Sequence, residues 1–299
     1  MCAATSRMRE RFPVTEIPTE KYDDTGKAVF DDAYNQPDPR MYYEDLGRLG
    51  YRIAGEAQPQ IARTVSALTE TRDEQQPKVI DIGSSYGINA ALLNNDLTLD
   101  HLDQHYRTEE ISDWNRDQLL ERDIEFFCDH ESDQSYEIIG IDVSKPALQY
   151  AVDAGLLDAA LAVNLEEESL KPEEAAVLSD ADLIMSTGAV GYVSEATFEQ
   201  VLDACEDSRP WVANSVLRMF PYDGFLELLA KRGYVTEKYE STLIQRGFAT
   251  QEEQEHVLAN LDELGIDPAN KEAGGHYHAE FFLSRPREEA TRTIFEPLR

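Results

Sequence analysis

Lys78 to Leu93 reads KVIDIGSSYGINAALL, and the fold follows from it. Val79, Ile80 and Ile82 form a short apolar run. Gly83 and Gly87 bracket a turn, and Ile88, Ala90, Ala91, Leu92 and Leu93 then continue as a packed helix. A strand that passes through a glycine-containing loop into a helix opens a nucleotide-binding α/β unit. Glycines lack a Cβ and let the backbone approach a ligand. The helix start behind the loop offers free N–H groups to an anion.

The loop chemistry discriminates between ligands. Gly83-Ser84-Ser85-Tyr86-Gly87 does not fit the dinucleotide pattern G-x-G-x-x-G. Asp81, at the end of the strand, would repel a pyrophosphate but suits an ammonium group. S-adenosylmethionine (SAM) carries an ammonium, a carboxylate for the helix end, and no phosphate. Here the chain resembles the class I SAM-dependent methyltransferases, whose first motif is hydrophobic-hydrophobic-Asp/Glu-x-Gly-x-Gly-x-Gly. Asp81, Gly83 and Gly87 match it, and Ser85 stands where the middle glycine is usual. The alternative is a plain strand–turn–helix junction. The resemblance implies SAM as cofactor, with Asp81, Gly83, Ser85, Tyr86 and Gly87 around it. It also implies an α/β fold: a seven-stranded Rossmann-like sheet with helices on both faces.

Composition bounds the rest. The chain has 299 residues, 41% of them hydrophobic, enough for a full core. No run of 18 apolar residues marks a membrane span, and MCAATSRMRERF lacks the apolar core of a secretory signal. Cys2, Cys128 and Cys205 are scattered and odd in number, which suggests reduced thiols in a cytoplasmic protein and no metal site. Acidic residues number 59 against 27 basic ones, a net charge of -32. Such a surface repels phosphate backbones, so nucleic acid is a poor partner. A solvated acidic surface without further meaning is the simpler account of the charge. The expected partners are a small-molecule acceptor and, at most, a second copy of the chain as a homodimer.

Residues 1 to about 35 read as a polar arm. Helices are expected from Arg40, carrying Tyr42, Tyr43, Leu46 and Leu49, and from Ala57 to Glu70. Residues 1–76 thus form an arm and a helical cover, and 77–299 the SAM-binding core. Strands are expected at Glu137–Asp142, Ala159–Leu165, Asp182–Met185, Trp211–Leu217, Tyr234–Glu240 and His278–Leu283, which with the first make seven. Asp81 and Asp142 stand 61 residues apart, where a minimal βαβ unit needs about 30. Residues of about 95–135 are therefore placed outside the sheet as a helical insertion, with Ser112 capping a helix that carries Trp114 and Leu119. Residues 250–273 read as an acidic connection.

The other candidate cofactor residues lie at strand ends. An acidic side chain ending the second strand can accept both ribose hydroxyls; the resemblance implies this for Asp142, with Val143 beside it. A helix N-cap is the alternative for Asp142, since it and Ser144 both suit that position. Asn164 and Leu165 fall where the family contacts the adenine. Ser186, Thr187 and Gly188 end the fourth strand, beside the first loop at the topological switch point, and should face the transferred methyl group.

Methyl transfer from a sulfonium is an in-line displacement in which positioning carries most of the catalysis. A carboxylate acceptor needs no base, whereas an amine or phenol must lose a proton. The Asp/Asn-Pro-Pro-Tyr motif of DNA amino methyltransferases is missing after the fourth strand, where the chain has Ser186-Thr187-Gly188-Ala189. Arg40, beside Tyr42 and Tyr43, can fork onto an acidic acceptor. Tyr86 and Tyr192 flank the cofactor loops, and either ring can face the sulfonium. His276 shares a strand face with His278 and is the candidate general base. Packing explains each of these residues as well. The layout is similar to that of small-molecule O-methyltransferases, a likeness at the level of fold. A SAM-binding regulatory protein without transfer activity stays open, as does a nicotinamide-dependent reductase, which the loop and Asp81 disfavour.

Overall fold

A computed structural model describes residue 27 and residues 30–74 and 76–297. The expected N-terminal arm lies largely outside the described residues, as does Cys2. The helices are α1 (Asp31–Tyr34), α2 (Arg40–Arg48), α3 (Ile53–Arg72), α4 (Ile88–Asn94), α5 (Leu99–Tyr106), α6 (Arg116–Asp129), α7 (Lys145–Asp153), α8 (Pro172–Leu178), α9 (Glu195–Ala204), α10 (Asp223–Lys231) and α11 (Gln251–Glu263). The strands are β1 (Lys78–Ile82), β2 (Glu137–Asp142), β3 (Ala159–Ala162), β4 (Leu183–Thr187), β5 (Trp211–Leu217), β6 (Tyr234–Lys238), β7 (Leu243–Gly247), β8 (His276–Pro286) and β9 (Glu296–Pro297).

The nine strands among the described residues join one sheet, in the order β3-β2-β1-β4-β5-β8-β6-β9, with β7 also on β8. The first five are parallel, and β8 runs antiparallel between β5 and β6. The count corrects the expected seven by two strands, β7 and β9. β7 escapes a period-two reading because it is five residues long and its pairing with β8 slips between Ile244 and Gly247.

The central strands are apolar on both faces because helices cover both. Val79, Leu183, Met185 and Ala213 face one core, together with Ile61, Val65 and Leu68 of α3. Ile80, Ile184 and Val212 alternate to the other face, where Phe198 of α9 and Phe225 of α10 meet them. Burying each such large side chain contributes about 1.5–3 kcal/mol.

Between α4 and β2 the chain forms α5 and α6, capped by Thr98 and by Asn115. Asn115 replaces the expected Ser112: its side chain accepts from the Gln118 N–H while the Gln118 side chain returns to the Asn115 N–H, at 3.0 Å each. Buried Asp123 of α6 fastens this pair to the core, accepting from Tyr106 (2.6 Å) and from Tyr150 of α7 (2.7 Å) and meeting His105 Nε2 at 2.7 Å. Within the supposed acidic connection, Thr250 caps α11 by accepting from the Glu253 N–H. Among the described residues no helix is long and apolar enough to cross a membrane.

Candidate active site

The strand order reverses between β1 and β4, and a cleft of about 540 Å³ opens at the carboxyl ends of β1, β2 and β4. Gly83, Ser85, Asp142, Val143, Asn164, Leu165, Thr187, Gly188 and Tyr192 line it, so nine of the candidate residues are brought together.

The loop after β1 takes its shape from backbone conformations that glycine favours. Gly83, Ser85 and Gly87 all have positive φ, at 77°, 50° and 76°. Ser85 holds the left-handed conformation at the position where the motif usually has glycine. Its N–H donates to Asp142 Oδ2 at 2.9 Å, and the Ser144 N–H donates to Asp142 Oδ1 at 2.9 Å. The Asp142 carboxylate therefore ties the first loop to the β2–α7 turn. Burial raises its pKa, and the backbone donors Ser144, Ser85 and Val143 oppose that rise. The N-cap of α7 is Ser144, whose hydroxyl accepts from the Ala147 N–H. Val143, 68% exposed, offers an apolar platform in the cleft.

A Cβ on Gly83 would lie 2.6 Å from the Ala189 Cβ, so this glycine is required by the loop after β4. Gly87 caps α4 and packs against Ala151 and Leu156 rather than lining the cleft.

Asp81 lies beneath the loop, fully buried. Asn89 Nδ2 donates to Asp81 Oδ1 at 3.0 Å and to Thr187 Oγ1 at 2.9 Å, joining β1 to β4. Oδ2 has no hydrogen bond of ordinary length and angle, although the Ser84 hydroxyl stands beside the carboxylate. Burial pushes the Asp81 pKa up to about 7; Asn89 and Ser84 lower it and the Asp142 charge raises it. Asn89 was missed in the sequence. Its signal is a polar side chain in the first turn of a short apolar helix, facing the strand ends.

Asn164 and Leu165 lie just past β3, which ends at Ala162. The Asn164 side chain accepts from the Glu166 N–H at 3.1 Å, and Gln200 Nε2 donates to the Leu165 carbonyl at 2.8 Å. Glu166 accepts from the Ser194 N–H (2.9 Å) and from the hydroxyls of Ser194 (2.7 Å) and Thr197 (2.5 Å). Burial works against its ionised form, but these donors outweigh burial and hold its pKa below the usual value.

Four candidates stand elsewhere. Arg40 does not line the cleft. It donates to Asp38 from Nε and Nη2 (both 2.8 Å) and to the carbonyls of Ile111 (2.8 Å) and Trp114 (2.9 Å) from Nη1. Its fork is spent on joining the N-terminal cover to the insertion. His276 begins β8 at an exposed position outside the cleft lining. Tyr86 turns its hydroxyl to the segment before α2, donating to the carbonyls of Ala33 (3.1 Å) or Gln36 (3.0 Å) and accepting from the Gln36 N–H (3.1 Å). Ser186 is buried inside β4 and paired with Asn214 across β5. Tyr192 stays in the cleft, with the Lys27 ammonium 4.6 Å from its ring centroid.

The other half of the cleft was not foreseen. Phe30, Tyr34, Tyr42 and Tyr51 form an aromatic wall, with Tyr42 edge-on to Tyr34 and Tyr51 at 5.5 and 6.0 Å. Gln245 and Arg246 reach it from β7. Arg246 makes a bidentate pair with buried Glu253 at 2.7 and 3.0 Å. Burial pushes the Tyr51 hydroxyl up to about 12, with the Tyr34 hydroxyl and Arg246 opposing, so Tyr51 is a proton donor at neutral pH.

The cleft is acidic toward β2 and β3, at Asp142, Glu166 and Glu167, with Asp81 buried beneath the loop. It is aromatic and carries Lys27 and Arg246 on the opposite side.

No family model matches this chain, and no curated protein matches it. Among solved structures the chain is similar to a plantazolicin methyltransferase, BpumL, in complex with S-adenosylhomocysteine (SAH), at 12% identity and TM-score 0.43, covering 86% of this chain and 93% of that one. It is similar to magnesium protoporphyrin IX methyltransferase from Synechocystis with bound SAM, at 10% identity and TM-score 0.39, covering 82% and 84%. It is also similar to a TehB-like SAM-dependent methyltransferase from Corynebacterium glutamicum, at 15% identity and TM-score 0.35, covering 76% and 96%. These likenesses concern the course of the chain, and the functional reading rests on the residues of the cleft.

Proposed function

We propose that this chain is a cytoplasmic SAM-dependent methyltransferase that methylates an oxygen, foremost a carboxylate, of a small-molecule acceptor. The observation that carries the reading is the divided cleft: an acidic half built on strand ends and an aromatic half built from the cover and β7.

The acidic half suits SAM. The buried Asp81 Oδ2 has no hydrogen bond of ordinary length and angle among the described residues and would attract an ammonium group. Asp142 keeps acceptor capacity beyond its backbone donors and would hold the ribose hydroxyls, with Val143 and Leu165 against the adenine. A pyrophosphate in the same place would meet the charges of Asp81 and Asp142. When bound, SAM supplies an electrophilic methyl group on a sulfonium.

The aromatic half supports a carboxylate acceptor. Among the described residues lining the cleft there is no histidine and no cysteine. Tyr51 holds its proton at neutral pH, and Glu166 is occupied by Ser194 and Thr197. A carboxylate reacts without losing a proton, so the chain's task is to orient it and exclude water. Lys27 lines that side of the cleft, and the charge of Arg246 there is balanced by Glu253.

Calorimetric titration with SAM and NAD in parallel tests the cofactor: binding of NAD and not of SAM overturns the reading. Incubation with labelled SAM and either a panel of small acids or cellular RNA tests the acceptor. Label in a small acid that is lost on mild alkaline ester hydrolysis is the expected result. Label in RNA and in no small acid refutes it, and SAM binding without any transfer favours a regulatory protein.

A further inference from the structure

The side-chain amide of Gln245 is buried in the cleft wall at 1% exposure, and its Oε1 finds no donor among the described residues. An unpaired buried acceptor of this kind is costly, and a ligand group that supplies the missing proton recovers the cost. The position of the amide is not accidental to packing. The Arg52 N–H fixes the Gln245 carbonyl at 2.7 Å, and β7 is irregular in its pairing from Ile244 to Gly247.

The amide also overlies the end of β4. A Cβ built on Gly188 would lie 2.8 Å from Gln245 Nε2 and 3.4 Å from the Tyr51 hydroxyl. Two polar groups thus converge on the residue that should face the transferred methyl group. Around them the wall is aromatic.

We infer that Gln245 is the specificity-determining residue of the acceptor site, and that the acceptor is a small planar acid carrying a hydroxyl group. This rests on the methyltransferase reading above. The hydroxyl donates to Gln245 Oε1 on the side of the cleft lined by Tyr51, while the carboxylate is the group presented for methylation. Gln245 takes no proton and serves only to orient. A site built to pair a substrate hydroxyl discriminates strongly against the analogue without it, because the protein group is then left unpaired.

The test uses the full chain saturated with SAH. Matched acids, 4-hydroxybenzoate against benzoate and salicylate against benzoate, are titrated by ligand-observed NMR, with the same titrations on Gln245→Met and, where that variant does not fold, Gln245→Leu. In the wild type at least one hydroxylated member should bind tenfold or more tightly than benzoate, and in the variant that ratio should fall to near one with SAH affinity unchanged. A thermal melt is the second readout: removing an unpaired buried amide should leave the melting temperature equal or higher, whereas a purely structural amide would lower it. An absent hydroxyl preference, or a preference that survives Gln245→Met, overturns the inference while SAH binding still stands. Failure to bind SAH at all refutes instead the reading on which it rests.

Discussion

Replacing Asp81 by Asn separates two consequences of burying a carboxylate at the end of β1. Its pKa is raised from 3.8 to about 7, chiefly by burial, with Asn89 and Ser84 opposing and Asp142 adding. The folded state therefore holds this proton more tightly than the unfolded chain. The resulting stabilisation is fully present below the unfolded pKa and is lost as pH rises through the folded one. The gap of about 3 units is worth on the order of 4 kcal/mol at about 1.4 kcal/mol per unit. Asn carries no charge to desolvate and keeps an oxygen for the Asn89 donor. Asp81→Asn should thus be more stable than wild type by on the order of 4 kcal/mol at pH 8, falling to about 2 kcal/mol at pH 5.5. At about 2 °C per kcal/mol for a chain of this size, the melting temperature should rise by about 8 °C at pH 8. Scanning calorimetry from pH 5.5 to 8 keeps the protein above its sequence pI of about 4.4.

The same substitution should weaken the cofactor. An ammonium group on Asp81 favours the carboxylate, so binding to the wild type releases the proton held near pH 7. Wild-type SAH affinity should fall about fivefold from pH 7 to pH 6, and about tenfold per unit below that, until the pKa in the complex is reached. In Asp81→Asn that dependence should vanish, and affinity at pH 7.5 should drop by about 1.5–3 kcal/mol, the value of a hydrogen bond to a charged group. Calorimetric titration in buffers of different ionisation enthalpy counts the released proton directly. A variant that binds SAH as tightly as wild type, or that is no more stable at pH 8, would refute the assignment of Asp81.

Gly83→Ala should lower stability by about 1–3 kcal/mol, because its Cβ meets Ala189 at 2.6 Å. Ala189→Gly in the same chain should restore part of the loss in urea unfolding, and no restoration would show that the strain lies elsewhere. Arg40→Ala should cost about 2–4 kcal/mol of stability by freeing Asp38 and the carbonyls of Ile111 and Trp114, while SAH affinity in the folded protein stays within twofold. A large effect on acceptor KM with unchanged stability would return Arg40 to the site. Asp142→Ala should lower stability by about 1–3 kcal/mol and SAH affinity tenfold or more, since the carboxylate holds the Ser85 and Ser144 N–H groups as well as the cleft. Unchanged SAH affinity would remove it from the cofactor half.

The strand-end half of the cleft was legible because its residues end strands whose apolar runs are plain in the sequence. Asp81, Asp142 and Thr187 needed only the strand positions and the order of a doubly wound sheet to be brought together. Arg40 and Tyr86 failed for a different reason. Each has a side chain suited to a ligand, and each spends it on the protein's own backbone, at the carbonyls of Ile111, Trp114, Ala33 and Gln36. Residue type states what a group can bond, and only the fold states what it does bond. Gly83 shows the same point at the backbone: the sequence suggests a glycine kept bare for a ligand, and in the fold it is Ala189 that a Cβ there would meet.

The acceptor half was hidden because no contiguous stretch encodes it. Phe30, Tyr34, Tyr42 and Tyr51 come from the cover, and Gln245 and Arg246 from β7 nearly 200 residues later. LIQRG is a five-residue strand with a glutamine and an arginine buried in the middle, the reverse of the apolar run that marks a buried strand. Both polar residues are affordable there for separate reasons. Arg246 is neutralised by Glu253, which the Thr250 cap positions at the start of α11. Gln245 Oε1 is not compensated among the described residues, and a buried polar group without a partner is where local rules are expected to break in favour of function. The segment least like a strand is thus the one whose glutamine lies over Gly188 at the end of β4, and under the inference drawn above a ligand hydroxyl would recover the cost of its misfit to the local pattern.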